Sequence, residues 1–181
     1  MRHEIISAGF GGQGVLLLGQ LLAYAGMLEG KEVSWLPAYG PEMRGGTANC
    51  TVVISDSEIG SPVVSQPDCV IAMNLPSVTK FENSLRPGGI LLVNKSLVDY
   101  TPSGDKKKVV QIAATEIADD LGNSRIANMV MLGALNQLIS AVSFTTLAQV
   151  LKQVLPERRH NLIPLNIQAI ERGAKEVIGI V

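Results

Sequence analysis

Residues 3–29 read HEIISAGFGGQGVLLLGQLLAYAGMLE, and this stretch decides the fold. The run His3–Ala8 predicts a strand, the glycines of residues 9–14 predict a tight turn, and Val15–Glu29 predicts a helix. Farther along, short apolar runs alternate with helical patterns, which is typical of an α/β fold. We therefore predict a single domain, residues 1–181, that is a Rossmann-like three-layer sandwich with a mainly parallel sheet and a helical C-terminal third.

The turn after the first strand is a candidate ligand site. Its sequence, Gly9-Phe10-Gly11-Gly12-Gln13-Gly14, has the G-x-G-x-x-G spacing of dinucleotide-binding loops. Amides at the start of the next helix, together with the helix dipole, are suited to phosphate. An NAD site also needs an acidic residue after the second strand, but the predicted strand Glu32–Leu36 is followed by Pro-Ala-Tyr-Gly. Two other interpretations stay open: contact with the phosphate of another ligand, and close packing of helix, sheet and a neighbouring chain.

A second candidate segment is Pro37–Gly46, which reads PAYGPEMRGG and is predicted to be irregular. It follows the carboxyl end of a strand, where ligands and partners meet open α/β sheets. Arg44 is suited to bidentate contact with a carboxylate or phosphate, and Glu42 could hold Arg44 or face a partner. The alternative is a rigid, salt-bridged surface loop.

The rest of the sequence shows no catalytic or metal-binding pattern. The two histidines, His3 and His160, have neither triad-like nor metal-ligand spacing. The two cysteines, Cys50 and Cys69, lie far apart inside predicted strands and form no C-x-x-C pair. We expect no catalytic residue, no metal ion and no iron–sulfur cluster held by this chain alone.

Composition limits the class of partner. The net charge is −1, which gives no electrostatic footprint for nucleic acid or an anionic membrane. The N-terminus does not resemble a signal peptide, and the two longest uncharged stretches do not resemble membrane spans, so a cytoplasmic protein is expected.

Charged residues make up only 17% of the chain, against roughly 25% in a typical domain. The predicted helices Val15–Leu28 and Ile126–Val142 carry no charge and must be covered on both sides. Another subunit would supply the second cover; the alternative is enclosure by the rest of the same domain.

Taken together, several segments resemble the gamma subunit of the 2-oxoacid:ferredoxin oxidoreductases. The resemblance covers nearly the whole chain in order, and the pairing of the two glycine-rich motifs is its most specific part. The second motif is more similar to the 2-oxoglutarate branch than to the pyruvate branch, with the 2-oxoisovalerate branch close behind and an indolepyruvate-type subunit as a further alternative. The segments are GFGGQGVLLLGQLLAYAG, YGPEMRGGTANCTVVISDSEIGSP, DCVIAMN, LRPGGILLVN and ANMVMLGAL.

The resemblance implies a multi-subunit enzyme that converts a 2-oxoacid and coenzyme A into an acyl-CoA and CO2 while reducing ferredoxin. It places thiamine diphosphate, magnesium and iron–sulfur clusters on partner subunits, namely alpha, beta and a ferredoxin-like delta subunit. The isolated chain would be inactive and could form a homodimer. The site residues that it implies, all at the active-site interface, are Gly9, Gly11, Gly12, Gln13 and Gly14 in the first loop, and Tyr39, Gly40, Pro41, Glu42, Arg44, Gly45 and Gly46 in the second.

Overall fold

The structure, a computed structural model, describes residues 1–39, 46–102 and 107–180. Within these ranges, the six strands lie in the first two thirds of the chain with α1 and α2 between them, and helices follow. The strands are β1 (Arg2–Phe10), β2 (Glu32–Tyr39), β3 (Thr47–Ser55), β4 (Cys69–Ala72), β5 (Ile90–Asn94) and β6 (Lys108–Ile112). The α-helices are α1 (Val15–Leu28), α2 (Leu75–Phe81), α3 (Ala114–Asp120), α4 (Ala127–Ile139), α5 (Phe144–Val154) and α6 (Ile163–Glu176).

The strands form one mixed sheet in the order β2-β3-β1-β4-β5-β6. Strands β1, β4, β5 and β6 are parallel, as the alternating pattern predicts. Strand β3 is antiparallel to both of its neighbours and lies between β1 and β2. The predicted three-layer α/β fold with C-terminal helices is confirmed, and the antiparallel β3 is the feature that the sequence pattern did not indicate.

Strand β2 is longer than predicted. It continues through Pro37 to Tyr39, where the sequence indicated an irregular segment from Pro37 onward. Proline is tolerated here because β2 is the edge strand, so its outward side needs no hydrogen-bond donor.

Two hydrophobic clusters lie on opposite faces of the sheet. Alternate residues of β1 divide between them: Ile5 packs with the cluster of α1, α4, α5 and α6, whereas Ile6 packs with the cluster that includes Val78 of α2. The period-two alternation of a strand produces this division. Among the described residues, no helix combines the length and apolar character that crossing a bilayer requires.

Helix α4 corrects one prediction about covering. Its residues from Ala127 to Asn136, and Leu138, are all buried within this chain, so the rest of the domain supplies the cover that we assigned to another subunit. Helix α6 lies directly against it: a Cβ at Gly133 would overlap the carbonyl group of Ile170, and one at Gly173 would overlap that of Val130. The two helices therefore meet at backbone contact.

Two polar side chains, Asn136 and Ser143, stabilise the turn between α4 and α5. Asn136 is 1% exposed and bonds twice to Val142, through Nδ2 to the carbonyl oxygen at 2.8 Å and through Oδ1 from the amide at 3.1 Å. Ser143 caps α5 by accepting a 3.0 Å hydrogen bond from the amide of Thr146. The few polar residues in and beside this otherwise apolar helix therefore have a structural role in the turn.

Candidate functional site

The glycine loop, Gly9–Gly14, joins β1 to α1 at the carboxyl edge of the parallel strands. The amide of Gln13 donates to the carbonyl oxygen of Phe10 at 3.1 Å, which closes the turn. Gly12 and Gly14 have φ angles of 101° and 74°, in the left-handed region that favours glycine. Within the described part of the chain, no side chain caps the first turn of α1, whose leading amides have no acceptor inside the helix.

The Gln13 side chain fixes the glycine loop to the neighbouring strand. Its Oε1 accepts from the Phe10 amide at 2.7 Å and from Nδ2 of Asn74 at 3.3 Å. Its Nε2 donates to the carbonyl oxygen of Met73 at 3.2 Å. Asn74, 4% exposed, also caps α2 by accepting from the Ser77 amide at 2.9 Å. Gln13 therefore positions the loop through three hydrogen bonds, which is a structural role.

Two of the glycines are also required for close packing. A Cβ at Gly9 would lie 2.7 Å from Oε1 of Gln13 and 2.9 Å from Cγ1 of Val15. A Cβ at Gly14 would overlap the amide group of Asn128, whose Nδ2 donates to the Gly14 carbonyl oxygen at 3.1 Å. The packing interpretation of the motif thus holds for Gly9 and Gly14 within this chain.

The structure brings the end of the second motif against the first. The amide of Gly11 donates to the carbonyl oxygen of Gly46 at 2.8 Å. The backbone of Tyr39 ends β2 at the same sheet edge, because β2 runs in the direction of β1. The other members of the second motif, Gly40, Pro41, Glu42, Arg44 and Gly45, lie outside the described residues.

The strand order argues against an NAD site at the glycine loop. In a dinucleotide-binding domain the second strand lies next to the first, where its terminal acidic residue reaches the ribose. Here β3 lies between β1 and β2, so the end of β2 is displaced by a further strand spacing, to about 10 Å from β1. The G-x-G-x-x-G spacing is therefore present without the adjacent strand that the dinucleotide site requires.

Two asparagines in contact with the loop were missed from the sequence. Asn74 and Asn128 are 4% and 3% exposed, although asparagine is mostly a surface residue. The position of Asn74, directly before Leu75-Pro76, is a helix N-cap signal that could have identified it. Nothing in the local sequence connects Asn128 with Gly14, because they are 114 positions apart.

The cysteine thiols are structural. Both are fully buried, Cys50 in β3 and Cys69 in β4. The Cys50 thiol donates to the Val15 carbonyl oxygen at 3.4 Å, beneath the start of α1. Burial raises the pKa of Cys50 to about 11 and also raises the pKa of Cys69. Among the described residues, no group of three or more histidine, cysteine or acidic side chains could hold a metal ion.

With this geometry in place, the class of protein follows from a comparison with known families. The family described as "Pyruvate ferredoxin/flavodoxin oxidoreductase" matches residues 4–176, and the chain belongs to that family. Both glycine-rich motifs lie within the matched range.

Individual relatives are similar along most of this chain. It is 40% identical over 169 residues to the ketoisovalerate oxidoreductase subunit VorA of Methanothermobacter thermautotrophicus, covering 93% of this chain but 35% of that protein. It is 37% identical over 184 residues to the 2-oxoglutarate synthase subunit KorC of Methanocaldococcus jannaschii, covering 98% and 96%. The chain thus spans about a third of the VorA relative.

A solved structure agrees with these matches. The gamma subunit of a keto/oxoacid ferredoxin oxidoreductase from Geobacter sulfurreducens PCA superposes with a TM-score of 0.82 at 31% identity, covering 97% of this chain and 98% of that one. The resemblance to oxidoreductase gamma subunits that the motifs indicated is confirmed.

Proposed function

We propose that this chain is the gamma subunit of a multi-subunit 2-oxoacid:ferredoxin oxidoreductase. The complex would convert a 2-oxoacid and coenzyme A into an acyl-CoA and CO2 while ferredoxin is reduced. Membership of the family over residues 4–176, together with both glycine-rich motifs, is the observation that carries this proposal.

We propose 2-oxoglutarate as the substrate and succinyl-CoA as the product. The YGPEMRGG motif and the 37% identity to KorC support this choice. The 40% identity to VorA supports a 2-oxoisovalerate complex as the alternative, and an indolepyruvate complex is a further one.

We propose that the cofactors reside on partner subunits. Iron–sulfur clusters are commonly held by four thiolates, and the two thiols here are too few and fully buried. We assign no thiamine diphosphate or magnesium to this chain. Thiamine diphosphate supplies the carbanion chemistry when it is bound, and the partner chains would position it.

We propose that the glycine loop and the Tyr39–Gly46 loop border the shared active site. The hydrogen bond from Gly11 to Gly46 joins the two loops at the carboxyl edge, beside the first amides of α1, which no described side chain caps. Arg44 and these amides would contact either coenzyme A phosphates or the thiamine-binding subunit.

We propose alpha, beta and delta subunits as the partners, with ferredoxin as the acceptor of the complex. Apolar side chains at the end of α1 support an interface there: Tyr24, Met27 and Leu28 are 41%, 62% and 50% exposed. The isolated chain would be inactive and could pair with a second copy through this surface.

The proposal is tested on the natively assembled complex. The chain is purified with its partners, which mass spectrometry identifies. Turnover is then measured with a viologen acceptor, with and without coenzyme A, for 2-oxoglutarate, 2-oxoisovalerate, indolepyruvate and pyruvate. We expect co-purifying subunits that carry the cofactors and the highest kcat/KM for 2-oxoglutarate. Turnover by the purified chain alone would contradict the proposal.

The role of Arg44 is tested separately with Arg44→Ala in the complex. If Arg44 binds a phosphate, the KM for coenzyme A rises on the order of tenfold, because a charge-assisted hydrogen bond is lost. Arg172→Ala, an exposed arginine on α6, is the control and should leave that KM unchanged. Unchanged assembly, coenzyme A affinity and turnover in Arg44→Ala would reject this role.

A further inference from the structure

Helices α5 and α6 leave an open groove of about 320 Å³ between them on the helical layer. Phe144, at the start of α5, lines it and is 37% exposed, although phenylalanine is usually buried. The groove therefore presents apolar surface that the described part of the chain does not cover. We call it the α5–α6 groove, and its described lining is Phe144, Thr145, Ala148, Ile167, Ile170 and Glu171.

Glu171 is the one charged residue in this described lining, and it belongs to a row of side chains along α6. Residues four apart lie on the same side of an α-helix, so Ile167, Glu171 and Lys175 follow one another. The Ile178 amide donates to the Lys175 carbonyl oxygen at 3.3 Å, which places Ile178 one turn farther along. Ile178 is 68% exposed. We call these four residues the α6 ridge, which is apolar at both ends and carries opposite charges in the middle.

The two charges of the α6 ridge are available to a partner. Both Glu171 and Lys175 are exposed. A glutamate four residues before a lysine is the spacing that favours an ion pair within one helix. Among the residues that the structure describes, however, neither side chain forms an ion pair with the other or with a third group. A partner that fits this ridge must therefore present a cation opposite Glu171 and an anion opposite Lys175.

A second copy of this chain presents its charges in that order. When two identical helices pack antiparallel about a twofold axis, any contact between two different residues occurs twice, once in each direction. If Glu171 faces Lys175 of the second copy, then Lys175 faces Glu171 of the second copy. The same register brings Ile167 within one position of Ile178 of the second copy. The α6 ridge is thus complementary to itself, whereas an unrelated partner would have to supply this order separately.

We propose that two copies of this chain pair antiparallel through the α6 ridge, with Ile178 of each copy in the α5–α6 groove of the other. The apolar contact of Ile178 with Phe144 and Ile167 supplies affinity, because these side chains leave water. The two ion pairs between Glu171 and Lys175 fix the register. An isologous contact closes at two chains, so the expected species is a dimer. The inference uses only side chains of this chain and does not rest on the proposed function.

The test reverses the charges in the full chain and measures its mass in solution by sedimentation velocity, over a concentration series at low ionic strength. Glu171→Lys places like charges opposite each other at both contacts, and Lys175→Glu does the same with the other sign. Each variant alone should raise the dissociation constant of the dimer at least about tenfold, because two attractive pairs become repulsive. An equimolar mixture of the two variants restores opposite charges at both contacts, so it should form a heterodimer with nearly the wild-type affinity.

Glu176→Lys is the matched control. It makes the same change of charge as Glu171→Lys but lies five positions farther, about 140° around the helix, so the dissociation constant should stay within about twofold. Ile178→Ser tests the apolar contact at an exposed position that folding tolerates, and it should weaken the dimer at least about tenfold. Circular dichroism checks that each variant is folded.

The inference is overturned if the wild-type chain stays monomeric throughout the concentration series, or if both charge variants form dimers as tightly as the wild type. Absence of a heterodimer in the mixture of the two folded variants would also reject it. A dimer that Met27→Gln dissociates and Glu171→Lys leaves intact would place the pairing at the end of α1 instead. None of these results decides the turnover assay of the complex, so the proposed function is judged separately.

Discussion

Replacement of Gly173 by alanine should destabilise the domain, although alanine is the better helix former. The built Cβ overlaps the carbonyl oxygen and carbon of Val130 and lies 3.0 Å from its Cα. Real Cβ contacts essentially never fall below 3.0 Å, so α4 and α6 must separate. No rotamer change can relieve the overlap, because the atoms that it meets belong to backbone.

The magnitude follows from two opposing terms. Alanine in place of glycine in a helix gains about 1 kcal/mol. Overpacking a close-packed core costs about 1–3 kcal/mol, and we expect about 2–3 kcal/mol here, because the overlap is with backbone and α4 is buried almost throughout. We expect a net loss of about 1–2 kcal/mol, which lowers the melting temperature by roughly 2–8 °C for a domain of this size.

Urea unfolding followed by circular dichroism measures this loss as a lower midpoint at unchanged slope. Gly60→Ala is the matched control, because a Cβ there meets no atom within 4 Å and Gly60 has no left-handed φ. Gly26→Ala should fall between the two, since its Cβ meets the side chain of Val33 at 2.9 Å. A Gly173→Ala protein as stable as the wild type would refute the backbone contact between α4 and α6.

Three further predictions concern ionisable groups. Burial lowers the pKa of His3 below 6.5, so the neutral imidazole is favoured in the folded state and stability should fall as the pH drops below 6.5. The variant His3→Gln should show a smaller decrease in the urea midpoint over the same pH range. Hydrogen bonds from Tyr100 and Lys107 lower the pKa of Glu82 below 4.5, so its contribution is present above about pH 4.5 and lost at lower pH. Glu82→Gln should therefore cost about 0.5–1.5 kcal/mol at neutral pH and show a smaller acid loss. Burial raises the pKa of Cys50 to about 11 and also raises the pKa of Cys69. Neither thiol should therefore react with a thiol reagent at about pH 8 until guanidinium unfolds the chain. Fast labelling of the native protein would contradict the burial of the thiols.

Local patterns predicted the elements well because the signals that define them are local. The β-branched run over residues 47–55, which a polar turn follows, is typical of a strand and coincides with β3, Thr47–Ser55. The position of Ser143 directly before a helical pattern indicates the N-cap of α5, because an N-cap is fixed by adjacent residues. The glycine loop was located for the same reason, since its spacing and the flanking strand and helix are contiguous.

What the sequence could not predict depends on contacts between distant residues. The antiparallel placement of β3 is set by pairing across the sheet, and strand periodicity is the same for either direction. The enclosure of α4 depends on Gly133 and Gly173, which are 40 positions apart. In the sequence, each of these glycines indicates only a locally less stable point of its own helix. The absence of charge correctly predicted that α4 is buried, but it did not indicate whether the same domain or another subunit covers the helix.

The position of β3 explains how a dinucleotide-type turn can be retained for another use. A glycine turn before a helix binds phosphate through local physics, because its amides and the helix dipole are properties of the turn itself. Selection of NAD requires a second element, the acidic end of an adjacent parallel strand. Placing β3 between β1 and β2 removes that adjacent strand and brings Gly46, the last residue of the second glycine-rich segment, against Gly11. The glycine turn and the uncharged start of α1 are therefore retained without the adjacent parallel strand that selects a dinucleotide, so the turn is open to the other two uses, phosphate contact and close packing.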